Sequence, residues 1–266
     1  MKIQSTTMGK SHMSNRAKAA VSGCLAIFLS ACGTTTAPDA LVPSGPQGRV
    51  RLVNVITDAT RGRVNASLEG LVFGVDINYA VSAPANLGAP ATAPYAAVLA
   101  GNRAFVLKRT ADTTVTVATL SFAVADGQDV TVYAIGGVGG SAITSVVTTD
   151  INTAAASTET RIRLVNMSPT AGAVDVFFTA VGADLATATP RATALAYRGQ
   201  SAYFTVAPGT YQYRAVPAGT APANRAAAVL ITLSPVTVAG GTGRTIVAAD
   251  NNVGGAPLRA FVLTDR

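Results

Sequence analysis

Thiol and imidazole chemistry in this 266-residue chain rests on three side chains, Cys24, Cys32 and His12, and all three lie within the first 32 residues. The remainder holds no histidine or cysteine, so it can build neither a Ser-His-Asp nor a Cys-His centre, nor a zinc site from those ligands. Glutamate is confined to Glu69 and Glu159, and tryptophan is absent. The acidic residues worth weighing are Asp76 and Asp175, each in a Val-Asp-[Ile/Val] setting. Carboxylate oxygens suit a hard cation such as Ca²⁺. The preferred reading is structural: each aspartate holds a turn or pairs with a first-strand arginine, Arg51 or Arg163. Asp250-Asn251-Asn252 lacks the alternating spacing and closing glutamate of a calcium loop. The glycine clusters 136–140 and 240–245 lack the G-x-x-x-x-G-K-[ST] order of a phosphate loop and read as turns. No catalytic residue, metal ligand or cofactor is therefore expected, and the chain is not expected to be an enzyme.

Binding is the chemistry left. Tyr197, Arg198, Tyr203, Tyr211, Tyr213 and Arg214 gather tyrosine and arginine within eighteen residues. Exposed tyrosines on a sheet stack on sugars or anchor proteins, and both residue types are favoured at interfaces. Tyrosine is also ordinary strand composition, and half-buried core placement is the preferred reading.

The N-terminus narrows the inventory further. Residues 1–31 carry Lys2, Lys10, Arg16 and Lys18, no acidic residue, and end in the apolar stretch 19–31. A basic region followed by a short apolar run reads as a secretory signal. Met8 and Met13 offer alternative starts with a shorter basic region. Leu29-Ser30-Ala31-Cys32 resembles the lipobox of bacterial lipoproteins, which implies lipidation of Cys32 and its use as the first mature residue. Cys24 has too little apolar length before it. Gly33, where an aspartate would resemble an inner-membrane retention mark, makes the outer membrane the implied destination. Cleavage removes four of the 20 basic residues and leaves 16 against 13 acidic, a net charge of +3 instead of +7. The remaining arginines are scattered without a run, so nucleic acid is not an expected partner. Multiple acyl chains make a stable anchor, and no later apolar run approaches the ~20 residues of a membrane helix.

These residues sit in a chain that repeats itself. Arg49-Val50-Arg51-Leu52-Val53-Asn54 returns 112 residues later as Arg161-Ile162-Arg163-Leu164-Val165-Asn166. Residues 32–48 are rich in Gly, Pro, Ser and Thr and read as a tether. Residues 49–147 form a first module, 148–160 a linker and 161–266 a second module. Short β-prone runs broken by Gly and Pro predict strands over 49–54, 64–77, 96–108, 113–124 and 130–135, and again over 161–166, 174–178, 195–206, 211–214, 229–238, 245–249 and 261–263. Asp126-Gly127 predicts a hairpin-type turn. Val75-Asp76-Ile77 aligns with Val174-Asp175-Val176, which gives the first copy 13 additional residues. Ala223–Ala228 is the segment most open to a helix. The expected class is all-β: two tandem antiparallel β-sandwiches behind a signal peptide and flexible linker.

The second module, with RIRLVNMSPTAGAVDVFF, APGTYQYRAVPAG and VAGGTGRTIVAAD, resembles the domain-of-unknown-function 4397 family over residues 161–263. The first keeps RVRLVN, VDI and DGQDVTVYAIGG but lacks the Pro-Gly-Thr-Tyr segment. The resemblance implies an Ig-like or transthyretin-like sandwich in a bacterial secreted or surface protein, and no reaction. The combined expectation is a lipid-anchored envelope protein that presents its domains to another envelope protein, β-strand addition at an open edge being the simplest mode. The alternative partner is a glycan or small ligand held by the tyrosines of the second module.

Overall fold

The computed structural model describes residues 45–84 and 94–265; the signal segment, Cys32 and nearly all of the tether lie outside the described residues. Eighteen strands are described. The first module contains β1 (Gln47–Ile56), β2 (Val64–Leu68), β3 (Leu71–Ile77), β4 (Ser82–Ala83), β5 (Ala96–Leu99), β6 (Gly101–Arg109), β7 (Asp112–Val124), β8 (Asp129–Gly136) and β9 (Ile143–Asp150). The second contains β10 (Thr160–Met167), β11 (Val174–Ala180), β12 (Ala192–Leu195), β13 (Phe204–Val206), β14 (Gly209–Pro217), β15 (Ile231–Thr232), β16 (Val236–Val238), β17 (Gly243–Ala249) and β18 (Arg259–Thr264). The class is all-β, as expected.

Each module is a two-sheet sandwich. In the first, the sheet β4-β1-β8-β9, with β5 also on β1, faces the sheet β3-β2-β6-β7. In the second, β13-β10-β17-β18 faces β12-β11-β14-β15, with β16 also on β14. Pairing is antiparallel except for one parallel pair per module, β1 with β8 and β10 with β17. The first core joins Val50, Leu52 and Ile56 of β1 to Phe105, Leu107 and Phe122 of the opposite sheet. The second joins Ile162 and Leu164 to Val176, Phe178, Tyr213 and Ala215.

The two modules do not hang as beads on a linker. Residues 42–266 form one compact unit. The faces of β1 and β8 turned away from the first core carry Val53, Val55, Tyr133 and Ile135, and these pack on Val165, Met167, Val247 and Ala249 of the second module. The two repeat-bearing sheets thus become the inner pair of a four-layer stack. A strand buried on both faces should read as a near-continuous apolar run, not a clean alternation. Val50 to Ile56 and Ile162 to Met167 are that, and every residue in both runs is buried.

Some expectations are corrected. Residues 143–150, largely assigned to the end of the first module and the linker, form β9, so the connector is 151–159; four threonines and serines among those eight residues masked the strand. Asp126-Gly127 does not close a hairpin: β7 and β8 belong to different sheets, so the turn carries the chain across the sandwich. Residues 223–228 hold the end of a 3-10 helix, Pro222–Asn224, and the hydrogen-bonded turn after it, in which the Ala228 N–H bonds the Asn224 carbonyl. The glycine cluster at 240 serves close approach, since a Cβ there would lie 1.7 Å from the Ser157 carbonyl oxygen of the connector.

The internal alignment also changes. Asn54 Nδ2 donates to the carbonyls of Gly62 and Ile77, and Asn166 Nδ2 donates to those of Gly172 and Leu195. Val64 faces Ile77 as Val174 faces Leu195. Asn65, not Asp76, is therefore the counterpart of Asp175. Asp76 takes the place of Ala194, and both have left-handed backbones, φ 55° and 47°. A shared Val-Asp triplet was outweighed by the hydrogen-bond register.

Candidate functional site

The arginines of the repeated phrase meet at the seam between the modules. Arg51 is 1% exposed; its Nε and Nη2 donate to Thr131 Oγ1, and its Nη2 also reaches Asp265 Oδ1 at 2.9 Å. Arg163, equally buried, donates from Nε and Nη2 to Thr245 Oγ1 and pairs with Asp150 Oδ1 at 2.6 Å. Nη1 of each bonds the carbonyl just before the opposing aspartate, Thr264 and Thr149. Each arginine therefore crosses to the other module, and the contacts are reciprocal. Tyr95 lies 4.5 Å beneath the Arg51 guanidinium and donates to Asp150; Tyr203 lies 4.9 Å from that of Arg163. Burial acts to lower both guanidinium pKa values, but Tyr95 and Asp265 around Arg51, and Tyr133 and Asp150 around Arg163, outweigh it and hold both above the ordinary value. A neutral, fully bonded cluster of this kind fixes the register of two packed sheets. Arg51 and Arg163 are thus not surface charges.

The aspartates do other work than pairing with these arginines. Asp76 forms a solvent-facing ion pair with Arg63, which lowers its pKa. Asp175 accepts the Ala194 N–H at 2.8 Å and the Gly219 N–H at 3.0 Å, tying an edge strand and a turn to β11. The true partners, Asp150 and Asp265, carried a readable signal: each closes its copy in a Thr-Asp step.

The six tyrosine and arginine candidates do not converge. Tyr213 is 1% exposed in the second core. Tyr211 stacks on Phe178 at 4.9 Å and donates its hydroxyl to the Ala207 carbonyl. Tyr203 belongs to the seam, where burial lifts its hydroxyl to about 12. Arg214 donates to Thr179 Oγ1 and the Ala183 carbonyl. Tyr197 and Arg198 sit at another part of the seam, with the guanidinium 5.4 Å from the ring centre. Alternation along β14 sends Tyr211 and Tyr213 inward, so no shared sugar-stacking face forms.

The open surface lies elsewhere. β3 is an edge strand, and its Leu71 and Val72 are 75% and 68% exposed. The hairpin that presents it turns through Glu69 and Gly70, both with left-handed backbones (φ 52° and 82°), as a tight two-residue hairpin requires. Arg103 steadies the turn through Glu69 at 2.6 Å. Between β3 and β5 runs a groove of about 240 Å³ lined by Leu68, Leu71, Phe73, Ala96, Val98 and Leu99. Among the described residues there is no group of three or more acidic, histidine or cysteine side chains placed to hold a metal.

No curated protein matches this chain. Among solved structures, a leucine-rich repeat protein from Bacteroides thetaiotaomicron is 13% identical, over 76% of this chain and 26% of that one, at a TM-score of 0.19. The TIE protein of Bacillus anthracis is 12% identical, over 76% and 33%, at 0.21. CBMbc (family CBM26) from Eubacterium rectale Amy13K, solved with maltoheptaose, is 8% identical, over 82% and 96%, at 0.21. This chain spans about a quarter to a third of the first two, and superpositions this loose say nothing about its ligand. The model of the family described as Domain of unknown function (DUF4397) matches residues 48–177: the first module, the connector and most of the first two strands of the second. The motifs are most complete over 161–263, so the match falls largely on the other copy. Over residues 48–177, just under half of its length, this chain thus matches the DUF4397 family model.

Proposed function

We propose that this chain is a non-enzymatic cell-envelope lipoprotein, anchored through Cys32 on the outer membrane, whose first module binds an extended segment of another envelope protein at Leu71–Phe73, the start of β3. The observation that carries the reading is the exposed apolar start of β3, Leu71 and Val72, which among the described residues lies at the edge of its sheet. An edge strand offers unpaired N–H and C=O groups as a template for pairing, and proteins ordinarily blunt such edges with charge, proline or cover. Here the edge carries Leu71 and Val72, both well exposed, beside an apolar groove. Main-chain pairing would supply affinity, and the groove would take alternate side chains of the added strand. Glycan binding through the tyrosines of the second module is the less favoured reading, since Tyr213 lies in the core and Tyr203 against Arg163 in the seam.

The test is in-cell photo-crosslinking from a reactive residue at position 72, with position 116 on the exposed part of β7 as control. One envelope protein captured at 72 and not at 116, and lost with Leu71→Lys, supports the reading. Equal capture at both positions overturns it. Loss of fatty-acid labelling in Cys32→Ser tests the anchor separately.

A further inference from the structure

A cleft of about 380 Å³ opens at the seam, with Val55 and Val138 of the first module on one side and Met167, Pro169, Tyr197 and Arg198 of the second on the other. The threonine hydroxyl-bearing side chains of Thr57 and Thr144 also line it. Its size, its place between two packed modules and its apolar walls with few polar groups are those of a small-molecule site.

Arg198 gives the cleft its charge. The residue is exposed, and its backbone is left-handed at φ 67°. Its Nη2 donates to Thr144 Oγ1 at 3.0 Å, and no ion pair joins it to a carboxylate among the described residues. The reciprocal flank of the seam shows what a filled version looks like. There Tyr79, the counterpart of Tyr197, lies under Arg259 at 5.5 Å and donates its hydroxyl to the Asp250 carbonyl at 2.6 Å. The segment after β17, 250–258, is longer than the 137–142 segment after β8, and its Asp250 carbonyl receives that tyrosine's hydroxyl. On the Tyr197 flank Val138 and Ser141 of the shorter segment line the cleft.

We infer that this cleft binds a small carboxylate with a compact apolar body, the carboxylate on Arg198 and the body against Val55, Met167 and Tyr197. A guanidinium presents a planar fork that matches a carboxylate, and a ligand anion would complete a charge the protein leaves unpaired. This site is independent of the β3 edge.

Met167 makes the test direct, because it is the only methionine beyond residue 13. With the full chain labelled at methionine methyl carbons, benzoate is titrated and the Met167 signal followed, benzyl alcohol serving as the uncharged control. The expected result is a saturable shift with benzoate, at least tenfold weaker with benzyl alcohol and at least tenfold weaker in Arg198→Ala. Ala80 occupies the matching left-handed position of the first module, φ 62°, so alanine is a backbone choice this fold already accepts. An unmoved Met167 signal, or equal affinity in Arg198→Ala, overturns the site.

Discussion

Arg51 in β1 and Asp265, one residue beyond β18, are joined at 2.9 Å across 214 residues of sequence and from one module to the other. With Arg163 and Asp150 as the reciprocal pair, the opening of each copy is tied to the close of the other. Two consequences follow. The repeated phrase makes in both copies a contact that neither copy makes alone, and the modules share one buried layer instead of swinging on a linker.

Removing one member of such a pair strands the other charge in the interior. Arg51→Met is expected to lower unfolding free energy by about 3–5 kcal/mol, measured by denaturant titration. In a double-mutant cycle Arg51 and Asp265 should couple by about 0.5–3 kcal/mol. Arg51 and Asp76 should not couple, because Asp76 bonds Arg63 at the surface. Coupling of Arg51 to Asp76, or none to Asp265, would refute the crossed arrangement.

Tyr133 makes the opposite prediction. It is fully buried in the seam, and its hydroxyl has no hydrogen-bond partner among the described residues. Val247 stands at the corresponding place in the second module, so the hydroxyl is not required by the packing plan. Tyr133→Phe removes an unsatisfied buried group and should raise stability by about 1 kcal/mol, seen as a higher denaturation midpoint with an unchanged slope. A loss of stability would reveal a bonded hydroxyl, most simply through a buried water.

Tyr213 separates the core role from a binding role. Its ring fills the second core beside Phe178 and Ala215, so Tyr213→Ala should cost about 3–5 kcal/mol. Tyr211 is half-exposed, and Tyr211→Ala should cost less. Stability, not the affinity for any sugar, is the quantity expected to move. Unchanged melting with reduced glycan retention would restore the tyrosine face.

How much of this was legible depended on which force set each feature. Apolar runs, glycine turns and the copied phrase revealed the strands, the duplication and the class, because those follow from local pattern. The sequence offers Arg51 and Arg163 as partners for Asp76 or Asp175 and not for Asp265 and Asp150, because their burial depends on a second sheet arriving on the outer face of β1. The run Val50–Ile56 fits a strand covered on both faces, but Arg49 and Arg51 alternating with Val50 and Leu52 read as a half-buried one. Asp76 was matched to Asp175 on a triplet, whereas the chain sets equivalence by which carbonyls Asn54 and Asn166 reach. The Thr-Asp step closing both copies is a second visible signal of the seam, beside the apolar runs of β1 and β10.

High pH should open the seam and cores. Burial, the first cause in each case, raises the hydroxyl pKa of Tyr79, Tyr95, Tyr133, Tyr203 and Tyr213, and that of Tyr203 reaches about 12. The folded state thus favours the neutral phenol. Below pH 10, the ordinary value, both states keep the proton and the full stability is present. Between about 10 and 12 the unfolded chain releases protons that the folded chain retains, so stability falls by at most about 1.4 kcal/mol per pH unit for each group. Tyr95 adds a specific reason, since its hydroxyl donates to Asp150 at 2.7 Å and a phenolate would set two anions together. The check is phenolate absorbance and circular dichroism recorded together from pH 8 upward. Of the seven tyrosines, five should ionise only as the β signal is lost. Smooth ionisation of all seven near pH 10, with the fold intact, would mean that water reaches these rings.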